Sequence, residues 1–230
     1  MKINSIKSNL SFQRALTTAE KKEFVQVTNQ ARRALGLDNT TATIFDFSVP
    51  TKTKDTGIGT TFSTDAQELA QMLKTMCGVN SIQLGPQGEI SNYVRSPYSG
   101  TNFSLGSHLI DLKKLKNDEY GNLLNERDFK APLFNRTKDD EKVNYENIYS
   151  TDGQEAALKT AFFRFNQLNP KDPLKKEFEQ FKKENSYWLE RDALYEAAAV
   201  ENGSKELVKW NLRDQNVFAT PHGDQKHFGL

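Results

Sequence analysis

Between Leu84 and Leu112 the chain reads LGPQGEISNYVRSPYSGTNFSLGSHLIDL, and this stretch holds the side chains best suited to meeting a ligand. Tyr93 and Tyr98 each present a flat apolar ring with a hydroxyl at its edge, which suits the C–H faces of a sugar. Ser96, Ser99 and Asn102 add short hydrogen-bonding groups around them. The chemistry implied is noncovalent recognition of a molecule rich in hydroxyls. A long polar connection that merely wraps the surface is the competing reading.

Other chemistry-bearing residues point to blander roles. Gly57–Ile58–Gly59 sits where a phosphate-binding turn would lie, but the full glycine fingerprint and its distant acidic residue are missing. A tight turn with positive φ accounts for it better. His222, Asp224 and His227 could ligate a metal, yet they stand in a loose terminal stretch without a further ligand cluster, so no metal is expected. Cys77 falls at a helix end rather than a helix start and reads as inert packing. Lys113, Lys114 and Lys116, like Lys175, Lys176, Lys182 and Lys183, are balanced by nearby acids and read as solvated faces. No GxSxG or P-loop is present, which weighs against an unrelated hydrolase or nucleotide enzyme.

The elements that must position the Tyr98 stretch are legible in the periodicity. Thr17 with Glu20 opens a helix whose apolar residues, Phe24, Val27, Ala31, Ala34 and Leu35, recur at helical spacing before Gly36. ATIFDFSV, Ala42 to Val49, reads as a buried strand ending at Pro50. Thr64 and Gln67 look like a capping box ahead of the stripe Leu69, Met72, Leu73 and Met76, which stops at Gly78. VNSIQL, Val79 to Leu84, reads as a second strand. A strand, a helix and a strand within roughly forty residues form a βαβ unit, so the strands should be parallel and the class α/β. Ligand sites of such sheets lie at the carboxyl ends of the strands, where the Tyr98 stretch begins.

From about Lys116 the texture turns helical. Leu158, Ala161, Phe162 and Phe165 form one stripe and Leu174, Phe178 and Phe181 another. Tyr187 to Ala199 is apolar on several faces and is expected at the centre of the helical group.

Composition bounds the partners. The 31 Lys+Arg against 30 Asp+Glu leave a net charge of +1, which gives no electrostatic reason to expect nucleic acid or an anionic membrane. A neutral ligand fits better. The 15 Phe, 7 Tyr and 2 Trp supply core material that a disordered chain would lack. A single cysteine cannot form an internal disulfide, no eighteen-residue apolar run exists, and MKINSIKSNLSFQR lacks a secretory cleavage pattern, so the cytoplasm is the expected compartment.

TGIGTTFSTDAQELAQML, LGPQG, SPY and LIDL, in this order and spacing, resemble the N-terminal part of the 4-α-glucanotransferases, the amylomaltase or disproportionating-enzyme family (glycoside hydrolase family 77). KVNYENI with AALKTAFFRF behind it, then YWLERDALYEAAA, resembles that family's helical insertion, and the similarity covers about Ala42 to Trp210. The resemblance implies a (β/α)8 TIM barrel with helical subdomains inserted between strands. It implies cofactor-free transfer of α-1,4-glucan segments between maltooligosaccharides. The chain would then divide into a leader and helix over 1–40, the first βα units of the barrel over 41–115, and a helical inserted subdomain over 116–230.

Tyr98 of SPY matches a tyrosine that lines the family's glucan site, and Ser96 and Pro97 match the turn presenting it. Asn102 is a further expected sugar contact. Val79, Asn80 and Gln83 replace a usual Trp-Gln pair and proline, Ser107 and His108 stand in place of a usual Asn-Pro, and Asp46 occupies a position the family tends to fill with an apolar residue and is given no catalytic role. Retaining transfer needs two carboxylates about 5 Å apart. In the family these lie on later strands, and nothing in the 230 residues matches their motifs, so they are expected beyond this chain, on a longer or separate polypeptide, and the chain alone is expected to be inactive. The alternative is a non-catalytic glucan-binding or scaffold relative.

Overall fold

A computed structural model describes residues 17–47, 49, 56, 58–90, 95, 96, 98, 104–134 and 143–216. Helix α1 (Thr18–Ala34) starts where the sequence places it. Thr17 accepts from the Glu20 N–H while the Glu20 carboxylate accepts from the Thr17 N–H at 2.8 Å, closing the capping box. Strand β1 (Thr41–Ile44), helix α2 (Thr64–Cys77) and strand β2 (Ser81–Leu84) follow, and β1 and β2 pair in parallel with Thr41 opposite Ser81 and Ile44 opposite Leu84. The βαβ expectation holds in order and direction.

Three details of that unit differ from the sequence reading. The cap of α2 is Ser63, not Thr64: its hydroxyl accepts from the Ala66 N–H at 3.1 Å and donates to the Thr60 carbonyl at 2.8 Å. Four small polar residues within five positions, Thr60, Thr61, Ser63 and Thr64, make this register ambiguous in sequence, and the buried Ser63 wins because it satisfies both ends. Strand β1 stops at Ile44, five residues before Val49. Its residues alternate between exposed and half-buried, and the fully buried side chains, Asp46, Phe47 and Val49, come after the strand. Lastly, Gly59 does not have positive φ. It is required by close approach: a Cβ there would lie 2.2 Å from the Val49 carbonyl oxygen, and its N–H donates to the Phe47 carbonyl at 2.9 Å. Gly57, Pro97 and the terminal His222, Asp224 and His227 lie outside the described residues.

A positive φ is found at Gly78, the C-cap of α2, with φ 68°. There α2 packs on α1, and a Cβ would crowd Thr28 at 3.2 Å.

Helices α3 (Glu126–Phe134), α4 (Tyr145–Tyr149), α5 (Gln154–Gln167), α6 (Pro173–Glu184), α7 (Ser186–Glu201) and α8 (Leu212–Gln215) follow. Leu112, Leu123, Leu124, Phe129, Ala157 and Ala161 form one apolar core, in which α3 meets α5. The buried face of α5 runs through Gln154, Ala157 and Ala161, so Phe165 packs inward while Phe162 is left 59% exposed. Phe165 meets Phe178 of α6 edge-on at 5.3 Å, with the Lys175 ammonium 4.3 Å above its ring. Lys182 likewise lies 5.2 Å over the Phe178 ring, so these two lysines cover aromatic faces.

Helix α7 is not central along its length. Its second half is buried through Leu194, Ala198 and Ala199, the last two against Trp210, whereas Tyr187 is 77% exposed. Small residues let the Trp210 segment approach there, and in the apolar first turn Trp188 packs against Phe181 of α6 at 6.3 Å. A third core joins the two halves of the chain: Phe47 and Ile58 after β1, Ile90 and Leu109 after β2, and Ile148 of α4. Among the described residues no helix is long and apolar enough to cross a membrane.

Ser63→Ala should cost about 1–2 kcal/mol, the loss of a buried N-cap, while Thr64→Ala should cost under about 0.5 kcal/mol. Urea unfolding midpoints of the two variants measure the difference.

Candidate functional site

The segment after β2 leaves the sheet and returns to the same place. Gly88 and Leu105 form an antiparallel bridge, and the Gly106 N–H donates to the Gln87 carbonyl at 2.7 Å. One residue further on, the Ser107 N–H donates to the Glu89 carboxylate at 2.7 Å. Both feet of the loop are thus fixed at the carboxyl end of β2, which lowers the entropy left to the residues between them.

The feet stand on buried polar groups. Asp46, fully buried just past β1, accepts from the Gln87 side chain at 3.0 Å, and the same Gln87 nitrogen reaches Thr61 at 3.2 Å. The other Asp46 oxygen has no partner among the described residues. The second foot is held by α7, where Asp192 accepts from the Ser104 N–H at 2.9 Å. Beneath it the Gln154 side chain of α5 donates to the His108 carbonyl at 2.5 Å and accepts from the Thr56 hydroxyl at 3.2 Å. Asn147 of α4 donates to the Thr56 and Pro132 carbonyls, both at 2.7 Å. Side chains of α4, α5 and α7 therefore satisfy the backbone groups of irregular segments that no sheet can satisfy.

Further out, Arg95 bonds Glu146 of α4, and its guanidinium lies 5.6 Å from the centre of the Tyr145 ring. That anchor lies one residue before Ser96 and three before Tyr98. Ser96 is exposed, and Tyr98 is 82% exposed. Of the residues expected to meet sugar, Ser96 and Tyr98 stand on the surface of this loop. Asn102, with Tyr93 and Ser99, lies outside the described residues.

His108 is the residue whose place the sequence did not reveal. It lies in a short 3-10 turn, Ser107–Leu109, with its side chain wholly buried. Its ring packs edge-on against Phe47 at 4.7 Å and under Gly106, where a Cβ would sit 2.1 Å from the ring. Neither ring nitrogen has a hydrogen-bond partner among the described residues, and Nδ1 is 3.6 Å from Glu89 Oε1. Burial of Glu89 opposes its ionisation, but the His108 imidazole and the Ser107 N–H outweigh burial and hold its carboxyl below the usual range. Burial, aided by the Glu89 and Glu155 carboxylates, pushes the Tyr149 phenol far above its usual value. Arg95 works against burial at Tyr145, whose phenol is nevertheless raised. The signal for His108 was its place in the apolar run HLIDL; the signal for Glu89 was its position next to GPQG. Among the described residues no group of three or more His, Cys, Asp or Glu side chains is placed to hold a metal ion.

The loop thus follows the carboxyl end of a strand in a parallel βαβ unit and carries the exposed Ser96 and Tyr98. The profile of glycoside hydrolase family 77, described as 4-alpha-glucanotransferase, matches residues 46–227, and the chain belongs to that family. None of the curated proteins compared with it matches the chain.

The lowered Glu89 value carries a stability signature. Ionised Glu89 favours the folded state above the ordinary carboxylate value of 4.5, and that contribution is lost as pH falls through its lower folded value. Urea midpoints of the native protein should therefore fall on acidification below about pH 4.5, and Glu89→Gln should fall less steeply over the same interval.

Proposed function

We propose that this chain forms the first βα units of a (β/α)8 barrel with a helical inserted subdomain, that it serves a 4-α-glucanotransferase, and that the loop after β2 rims the glucan cleft. The observation that carries this reading is Tyr98: an aromatic ring 82% exposed, on a loop whose feet are fixed and whose Arg95 is anchored three residues away. A ring held out in water at a cost in apolar exposure is suited to the C–H face of a glucose unit, with the Ser96 and Asn102 side chains meeting hydroxyls.

Further strands are part of the proposal. Ile82 and Leu84 of β2 are 39% and 41% exposed, although strands of a parallel sheet are ordinarily covered on both faces. The remainder of the barrel, on a longer or separate polypeptide, supplies that cover. It also supplies the two carboxylates that form and release a glucosyl-enzyme ester, passing the sugar to the 4-hydroxyl of another glucan. The reaction needs no cofactor, its partners are α-1,4-glucans rather than nucleic acid or membrane, and its compartment is the cytoplasm. A non-catalytic glucan-binding role is the second reading, favoured by the want of any matching carboxylate motif within these residues.

Titration with maltoheptaose by calorimetry tests the cleft. Tyr98→Ala should weaken binding about tenfold, the loss of one stacked ring, and unchanged affinity would remove Tyr98 from the site. Incubation of the 230-residue chain with maltotriose should give no ladder of longer glucans. A ladder would place a working carboxylate pair within these residues and overturn the division of labour proposed.

A further inference from the structure

We infer that the cavity of about 420 Å³ lined by the two feet of the loop and by helices α4, α5 and α7 binds a small organic diamine, with Glu89 as its principal ionic partner. The inference goes beyond the proposed glucan function and does not rest on it.

The walls of the cavity carry it. Its volume falls within the range of ordinary small-molecule sites, about 300–1,000 Å³. Ile90, Ile148 and Leu158 form an apolar part of the lining, suited to a methylene chain. Glu89, Glu155 and Glu196 form an anionic part, answered within the lining by the Lys205 ammonium. A cation on a hydrocarbon stem matches both parts, whereas an anion would meet three carboxylates and a fully polar solute would waste the apolar wall.

The chain's own lysines show what these carboxylates accept. Glu196 meets the Lys205 ammonium at 3.2 Å, and Glu155 meets that of Lys159 at 2.6 Å. Glu89 differs. One of its oxygens accepts from the Ser107 N–H at 2.7 Å and the other faces His108 at 3.6 Å, but no lysine or arginine reaches it among the described residues. Burial opposes its ionisation, yet its contacts with His108 and Ser107 hold the carboxyl below the usual range, so it stays anionic at neutral pH.

A second observation points the same way. Tyr149 and the wholly buried His108 belong to this lining, and the Tyr149 hydroxyl and both imidazole nitrogens have no hydrogen-bond partner among the described residues. Polar atoms left unmet in this way cost free energy until something pairs with them. An ammonium drawn to Glu89 brings three donors to that wall. A metal ion is the competing cation, but among the described residues no three His, Cys, Asp or Glu side chains are gathered to hold one. Carboxylates that do not converge on a point suit charges at the two ends of a chain.

Titration with 1,4-diaminobutane at pH 7 and low salt tests the site, read by calorimetry and by the methyl NMR signals of Ile90, Ile148 and Leu158. The diamine should shift those methyls and bind at one site. Its uncharged counterpart, 1,4-butanediol, should do neither at the same concentration. Glu89→Gln, whose amide oxygen still accepts from the Ser107 N–H, should weaken binding about tenfold. Lys205→Met should tighten it about threefold, because the chain's own ammonium no longer competes for Glu196, and a gain of affinity cannot come from misfolding. Unmoved methyls in the native chain, an equal response to the diol, undiminished affinity in Glu89→Gln, or no gain in a Lys205→Met variant of native circular dichroism would each overturn the inference. So would displacement of the diamine by maltose, which would make the cavity a sugar subsite.

Discussion

The closure of the loop after β2 upon itself is the constraint on which the rest of this structure depends. A segment of some fifteen residues with few apolar side chains cannot order itself by burial, and fixing its backbone costs on the order of 1–2 kcal/mol per residue. The Gly88–Leu105 bridge and the bonds from Gly106 to Gln87 and from Ser107 to Glu89 hold the two ends of that segment together. Each foot is then tied to a different part of the chain: the first through Gln87 to Asp46 behind β1, the second through Ser104 to Asp192 on α7. The helices are thus part of the loop's foundation.

This arrangement explains where polar residues are buried. Asp46, His108, Asn147, Gln154 and Asp192 lie at or near full burial, and all but His108 spend their side chains on the backbone or side chains of irregular segments. An apolar replacement at any of the four would strand N–H or carbonyl groups away from water, which costs more than the lost side-chain contact. His108 differs because neither ring nitrogen has a hydrogen-bond partner among the described residues, and its ring packs instead against Phe47.

The sequence made the periodic parts legible and left the aperiodic parts obscure. The capping box at Thr17, the end of α2 at Gly78 and the parallel pairing of two strands around α2 all follow from local rules, and they stand as read. Local rules failed where two residues compete for one role or where tertiary contact decides. Ser63 displaced Thr64 because only Ser63 is buried against the Thr60 turn. The first strand ended at Ile44 because Asp46 and Phe47 are taken by the loop feet and the central core. Tyr98 and Ser96 could be read as surface residues from the polar run around them. Arg95 could not be read as their anchor, since its partner Glu146 lies 51 positions away.

Family membership and local chemistry then bear on different questions. The profile match over residues 46–227 places the chain in a family described as 4-alpha-glucanotransferase. It does not say how the base of the loop after β2 is built, because that depends on residues such as Glu89 and His108, whose neighbours are the returning backbone and Phe47. Glu89 holds the returning backbone through the Ser107 N–H at 2.7 Å, and the His108 ring fills the space under Gly106, so the base of the loop is set by contacts within the chain.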